Sequence, residues 1–243
     1  MFDPSMKIRF LHSFSISPRE AVRIQSRLAA KISLHPFSRQ VRRIGGADVS
    51  YDPLSNRFFA AFIVLAWPGL DVIEIARAQG RVTFPYVPGL LSFREIPPLL
   101  KAFRRLSGTP DLLLCDGQGL AHPRFLGLAC HLGLFLGIPT IGCAKSLLVG
   151  EHGRVPARRG GRALLTHKGR QVGFALRTRQ GVREIIVSPG HRVSIAQAAE
   201  WTLRCTLRCR IPEPTRLADL EVTRMRRAEL TRTMSLKHPK RVC

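Results

Sequence analysis

The hydrophobic pattern changes character along the chain. Between Ile44 and Ala78, three apolar runs are separated by turn formers. They are Ile44–Tyr51, Phe58–Trp67 and Leu70–Ala78, divided by Asp52-Pro53-Leu54-Ser55-Asn56 and Pro68-Gly69 and closed by Gly80. This spacing predicts three strands in an antiparallel meander. Ser92–Leu106 then reads as a helix, Asp111–Cys115 as a short buried strand and Asp116-Gly117-Gln118-Gly119 as a glycine turn. Pro123–Gly137 reads as a long apolar helix and Pro139–Cys143 as another buried strand. Helix–strand–helix–strand order implies parallel strands with crossover helices.

Ahead of the meander, Ser17-Pro18-Arg19-Glu20 reads as a helix start, with a capping hydroxyl, a first-turn proline and an acid three residues after the cap. That helix should run to about Lys31. Residues 150–170, rich in Gly, Arg and His, read as a loop. Val172–Thr178 and Arg183–Ser188 read as a strand pair, and Ser194–Leu207 as a helix capped by Ser194. Beyond Leu220 no clear apolar face remains, and 224–243 reads as a frayed basic tail. The expected organisation is an N-terminal extension (1–15), one folded domain (16–222) and a basic tail (223–243). Meander plus two α/β units predicts an α/β protein, a mixed sheet with helices on both faces. That element order is found in the ribonuclease H-like fold.

Charge narrows the function. The 243 residues include 39 Lys and Arg against 16 Asp and Glu, a net charge of +23. Such an excess either repels itself or meets a polyanion, and the default polyanion is nucleic acid. A generally basic, ribosome-associated protein is the other reading. Residues 1–150 carry 18 basic and 9 acidic residues, while 151–243 carry 21 and 7, so the C-terminal third is the stronger phosphate-contacting candidate. Cys115, Cys130 and Cys143 lie in apolar runs, as expected of free thiols in a reducing cytosol. Cys205 and Cys209, four apart, could share a helix face. The most apolar stretch, Leu126–Cys143, is interrupted by His131, glycines and Pro139, which argues against a membrane span. A cytoplasmic monomer is expected.

Four acidic residues stand out in so basic a chain. Asp48 lies in the first predicted strand, Glu95 opens a helix, Asp116 ends a strand at the glycine turn, and Asp219 follows Pro212-Glu213-Pro214-Thr215-Arg216. Carboxylates are hard oxygen ligands suited to Mg²⁺ or Mn²⁺. Such ions activate water and offset charge in phosphodiester cleavage. Each residue taken alone could equally be a cap, a turn residue or a surface ion-pair partner.

Longer motifs go further. Gly45-Gly46-Ala47-Asp48-Val49-Ser50-Tyr51, Pro85-Tyr86-Val87-Pro88-Gly89-Leu90-Leu91-Ser92-Phe93-Arg94-Glu95 and Asp116-Gly117-Gln118-Gly119-Leu120-Ala121-His122-Pro123-Arg124 resemble the three signature blocks of endonuclease V. Ile138–Ser146, Val187–Arg192 and Pro212–Arg216 continue the resemblance in the family's order, over roughly residues 16–220. The resemblance implies a metal-dependent endonuclease using Mg²⁺, with Mn²⁺ able to substitute. It would act on DNA carrying deaminated bases such as hypoxanthine and nick the second phosphodiester bond 3′ to the lesion. Asp48, Glu95 and Asp116 match the metal-binding and catalytic carboxylates. Lys145 matches a lysine near the scissile phosphate, and Asp219 a position supporting the metal-bound water. Tyr86 matches a wedge that fills the gap left by a flipped base, and its rigid proline neighbours suit that role. Gly89, Leu91, Gly117 and Gly119 match the pocket around that base, with His122 shaping the turn or touching the pocket. Gln118 stands where many relatives have His; it cannot titrate and is assigned no catalysis. His191 is expected to be structural as readily as functional. Two rivals remain: the same chemistry on inosine-containing RNA, and a nucleic-acid-binding protein whose nuclease site has died.

Overall fold

The computed structural model describes residues 8–237, the last six of them as backbone only. The predicted meander forms as β1 (Arg43–Asp52), β2 (Arg57–Ala66) and β3 (Asp71–Arg81), paired antiparallel in sequence order. β2 is apolar from Phe58 to Ala66, and both its faces are covered. Phe58, Ala60, Phe62 and Val64 enter one core, while Phe59, Ala61, Ile63 and Leu65 pack on the other side.

Around the meander, α1 (Pro18–Ala29) is capped by Ser17, whose hydroxyl accepts from the Glu20 N–H. α2 (Leu91–Phe103), β4 (Leu112–Cys115), α3 (Leu128–Leu136) and β5 (Thr140–Ala144) supply the crossovers. β4 pairs parallel to both β1 and β5. α3 is shorter than expected. Pro123 to Gly127 instead form turns, with Phe125 at a left-handed φ of 56°, and of these residues Gly127 lines the cavity described below.

Among the described residues the sheet has nine strands, in the order β3-β2-β1-β4-β5-β9-β8-β7-β6. The segment expected as a loop supplies β6 (Glu151–His152) and β7 (Arg162–His167), which pair antiparallel beside β8 (Arg170–Leu176) and β9 (Ile185–His191). β7 was hidden from the hydrophobic pattern because Leu165 is its only fully buried residue. α4 (Ile195–Arg204) is capped by Ser194 and stops before Cys205, so Cys205 and Cys209 share no helix face. Cys205 is buried and Cys209 exposed; Cys115, Cys130 and Cys143 are buried and free, as expected.

The expected frayed tail is corrected. α5 runs from Glu213 to Lys237 without a break, and only 238–243 lie outside the described residues. Its apolar stripe is short, made by Ala218, Val222 and Met225, and other contacts tie it down. Val222 packs on Phe59 and Ala61, Arg77 and Arg224 both pair with Glu221, and Arg226 donates to the Tyr51 carbonyl. The N-terminal extension is also partly structural. From Ile8 onward it packs on the core, and the Arg9 N–H donates to the Phe135 carbonyl; residues 1–7 lie outside the described part. α2 and α3 cover one face of the sheet, with α1 packed on them, and α4 and α5 cover the other. No described helix is long and apolar enough to cross a membrane.

Candidate active site

Strand register brings two of the predicted carboxylates together. Ala47 pairs with Cys115 across the parallel β1–β4 ladder, so Asp48 and Asp116 follow side by side where β4 ends. The Asp116 N–H still donates to the Ala47 carbonyl at 3.3 Å. Carboxyl ends of parallel strands are where α/β sheets bind ligands. Lys145 follows directly on β5, the next parallel strand.

Asp219 arrives on α5, and Gly46 is what lets it. A Cβ at Gly46 would run into the Pro214 carbonyl, so the bare backbone admits the start of α5 against β1. From that contact, two residues of strand advance about 7 Å and five residues of helix about 7.5 Å. Asp48 and Asp219 therefore come level. One oxygen from each of Asp48, Asp116 and Asp219 lies within 4.8 Å of the others.

The charges are under strain. Burial, then the neighbouring Asp116, pushes Asp48 up to about 8, with Asp219 adding to the rise. Burial also raises Asp116, partly offset by Lys145, whose Nζ lies 2.6 Å from an Asp116 oxygen and 3.6 Å from Asp219. Burial would lower Lys145, but the three aspartates outweigh it and hold the ammonium above its ordinary range. One lysine thus faces three carboxylates, and the cluster retains a proton near neutral pH. A hard divalent cation answers both the excess charge and the all-oxygen donor set.

Glu95 stands apart from this set. It sits on α2, on the opposite face of the sheet from α5, and is not among the three mutually close carboxylates. Burial, then the charges of Asp48 and Asp116, raises it well above the usual carboxylate range, so it is coupled to the cluster although it is not one of the three.

Beside the cluster lies a cavity of about 160 Å³. Tyr86, Gly89, Leu91, Gly117 and His122 line it as the motifs implied, joined by Ser92, Gln118 and Leu128. Gly119 does not line it; its N–H donates to Ser188, and it packs against β9. Gln118 links cavity and cluster, donating to the Ser146 carbonyl beside Lys145. Tyr86 stands 68% exposed on the rim.

Polar groups behind the cavity fix its wall. Gly89 takes a left-handed φ of 76°, turning its carbonyl toward three donors: Gln25 at 3.0 Å, His122 Nε2 at 3.1 Å and Arg124 at 2.7 Å. His122 Nδ1 accepts from the Arg124 N–H, which places the ring proton on Nε2. Burial, then Arg124, lowers His122 to about 4, so it acts as a neutral brace. Gln25 was missed in the sequence. Its signal was a polar residue among Ala21, Ile24 and Leu28, the buried positions of α1. His191 sits at the other end of β5 from Lys145, its Nδ1 accepting from Ser33, and joins neither cluster nor cavity.

A mixed sheet of this order, with carboxylates clustered at the ends of its parallel strands, defines a nuclease of ribonuclease H-like fold. Residues 26–220 match the Endonuclease V family profile. An endonuclease V of Gloeobacter violaceus is 47% identical over 211 residues, 86% of each chain. The crystal structure of endonuclease V from Streptomyces avermitilis superposes with a TM-score of 0.85 at 42% identity, over 92% of this chain and 99% of that one. Endonuclease V of Ciona intestinalis, solved with a 24mer DNA containing an inosine followed by a ribo-adenosine, gives 0.75 at 28% identity, over 88% and 98%. The chain belongs to the endonuclease V family and is a phosphodiester hydrolase.

Proposed function

We propose that this nuclease recognises hypoxanthine in DNA and nicks that strand at the second phosphodiester bond on the 3′ side, as a cytoplasmic repair enzyme acting as a monomer. The observation that carries the reading is the single turn Asp116-Gly117-Gln118, which joins the carboxylate cluster to a one-base cavity. The inosine-containing DNA bound by the Ciona relative supports the choice of base. Asp48, Asp116 and Asp219 fit a divalent cation, with Mg²⁺ the expected ion and Mn²⁺ an alternative. When bound, it would supply Lewis acidity toward phosphate and a more acidic water.

The chain's own residues do the rest. Tyr86 stacks in place of the base that has left the duplex. Gly89, Leu91 and Gly117 bring backbone close to its edge, and His122 holds Gly89 in place. Lys145, already bound to Asp116, lies where a phosphate oxygen would seek a cation. Glu95, buried and coupled to Asp48 and Asp116, is the further carboxylate that the motif assigns to the ion. The many arginines give affinity for any duplex, falling steeply with salt. Replacing Asp48 or Asp116 with Ala should remove cleavage while binding persists, because each change also removes negative charge facing phosphate. Full nicking by either variant refutes the assignment.

A further inference from the structure

The cavity is backed by a buried chain of hydrogen bonds that the nuclease reading does not use. His12 Nδ1 lies 2.7 Å from the Ser13 carbonyl, His12 Nε2 lies 2.7 Å from His131 Nε2, and His131 Nδ1 lies 3.0 Å from Ser92 Oγ. All three side chains are buried, and Phe14, Phe93 and Phe135 surround the two imidazoles. Ser92 is also a lining residue of the cavity. His12 lies outside the stretch matched by the family profile.

The direction of the chain follows from elementary chemistry. Burial lowers both histidines below their ordinary range, so both rings are neutral. A carbonyl can only accept, so His12 carries its proton on Nδ1, and its Nε2 is an acceptor. His131 must then donate from Nε2, which leaves its Nδ1 as an acceptor. Ser92 must therefore spend its one hydroxyl proton on His131. Among the described residues Ser92 Oγ has no other partner, so it has only lone pairs to offer a group in the cavity. The reverse direction would set the bare Nδ1 of His12 against a carbonyl oxygen at 2.7 Å.

We propose that Ser92 is a specificity-determining residue, held by the His12–His131 relay as an obligate acceptor for a ring N–H of the bound base. A 6-oxopurine such as hypoxanthine carries a proton on N1, whereas adenine carries a lone pair there. An acceptor in the wall favours the first and repels the second. The inference rests on the reading that the cavity takes a flipped base, and it adds a residue and a reason for the preference.

The test is the ratio of binding constants for two duplexes identical except for inosine or adenosine at one site, measured without divalent metal. The native chain should prefer inosine. Ser92→Ala should reduce that preference about tenfold or more, since a buried donor is left unpaired. His12→Leu frees His131 to reverse its tautomer and release the Ser92 proton, and should reduce the preference similarly. His12→Gln, whose amide can accept from His131 and donate to Ser13, should restore most of it. In ¹⁵N-resolved spectra the native rings should be protonated on His12 Nδ1 and His131 Nε2, a pattern that mere packing does not dictate. Native discrimination kept intact by Ser92→Ala, or the opposite tautomers, overturns the proposal. No preference in the native chain overturns the base-cavity reading itself, so the two failures are distinguishable.

Discussion

Cation binding at the carboxylate cluster should be coupled to release of a proton. Burial and the neighbouring Asp116 hold Asp48 protonated up to about 8. A cation needs the ionised form and must displace that proton. With a midpoint near 8, about a tenth of the site is ionised at pH 7 and about nine tenths at pH 9. Apparent affinity for Mg²⁺ should therefore rise about tenfold across that range and level off above it. Stability without metal should run the opposite way. The unfolded chain releases the proton near 3.8, and the folded chain keeps it to about 8. The stabilisation is thus full in acid and is lost as pH rises through that window. Two variants should move the midpoint in opposite directions. Asp219→Asn removes a like charge and lowers it, whereas Lys145→Ala removes a compensating charge and raises it. Calorimetric titration with Mg²⁺ in two buffers of different protonation enthalpy measures both affinity and proton release. Affinity that stays constant between about pH 6 and about pH 9, with no proton released, refutes the reasoning.

Two other changes test separate parts of the account. Tyr86→Ala should weaken inosine-specific binding to duplex by about 1–3 kcal/mol, and less on single strands, where less stacking must be broken. An equal defect on both, measured by binding and single-turnover cleavage, reduces Tyr86 to a surface residue. Gly46→Ala should push α5 off β1, cost about 1–3 kcal/mol of stability by overpacking and separate Asp219 from Asp48. A native melting temperature together with native cleavage shows that the close approach of α5 does not build the site.

β2 and the crossover strands were legible because their burial is two-sided and uninterrupted, as in Phe58–Leu65, whereas β3, with only Ala76 and Ala78 buried, was legible from the turn formers that bound it. β7 and the second half of α5 were not, because what holds them is not an apolar face. β7 is secured by ladder bonds with one buried leucine, and the second half of α5 by Arg226 on the Tyr51 carbonyl and by Glu229 paired with Arg57. The site divides in the same way. Asp48, Asp116, Lys145 and the cavity glycines were readable from motifs that lie next to the strands carrying them. Placing Asp219 in the cluster, with Glu95 outside it, required knowing which sheet face each helix covers. Gln25, Ser92 and His131 are polar residues in apolar helical surroundings, a pattern that marks a buried network without naming its partners.

The most direct test of the central claim offers the full chain matched DNA and RNA duplexes, each with one inosine or one adenosine at the same position, in Mg²⁺ and in EDTA. A single nick is expected in the inosine-containing DNA strand, at the second bond on the 3′ side, appearing with Mg²⁺ and vanishing with EDTA. Cleavage confined to the RNA would move the substrate to inosine-containing RNA. Cleavage that ignores the inosine, or that survives EDTA, would contradict the account.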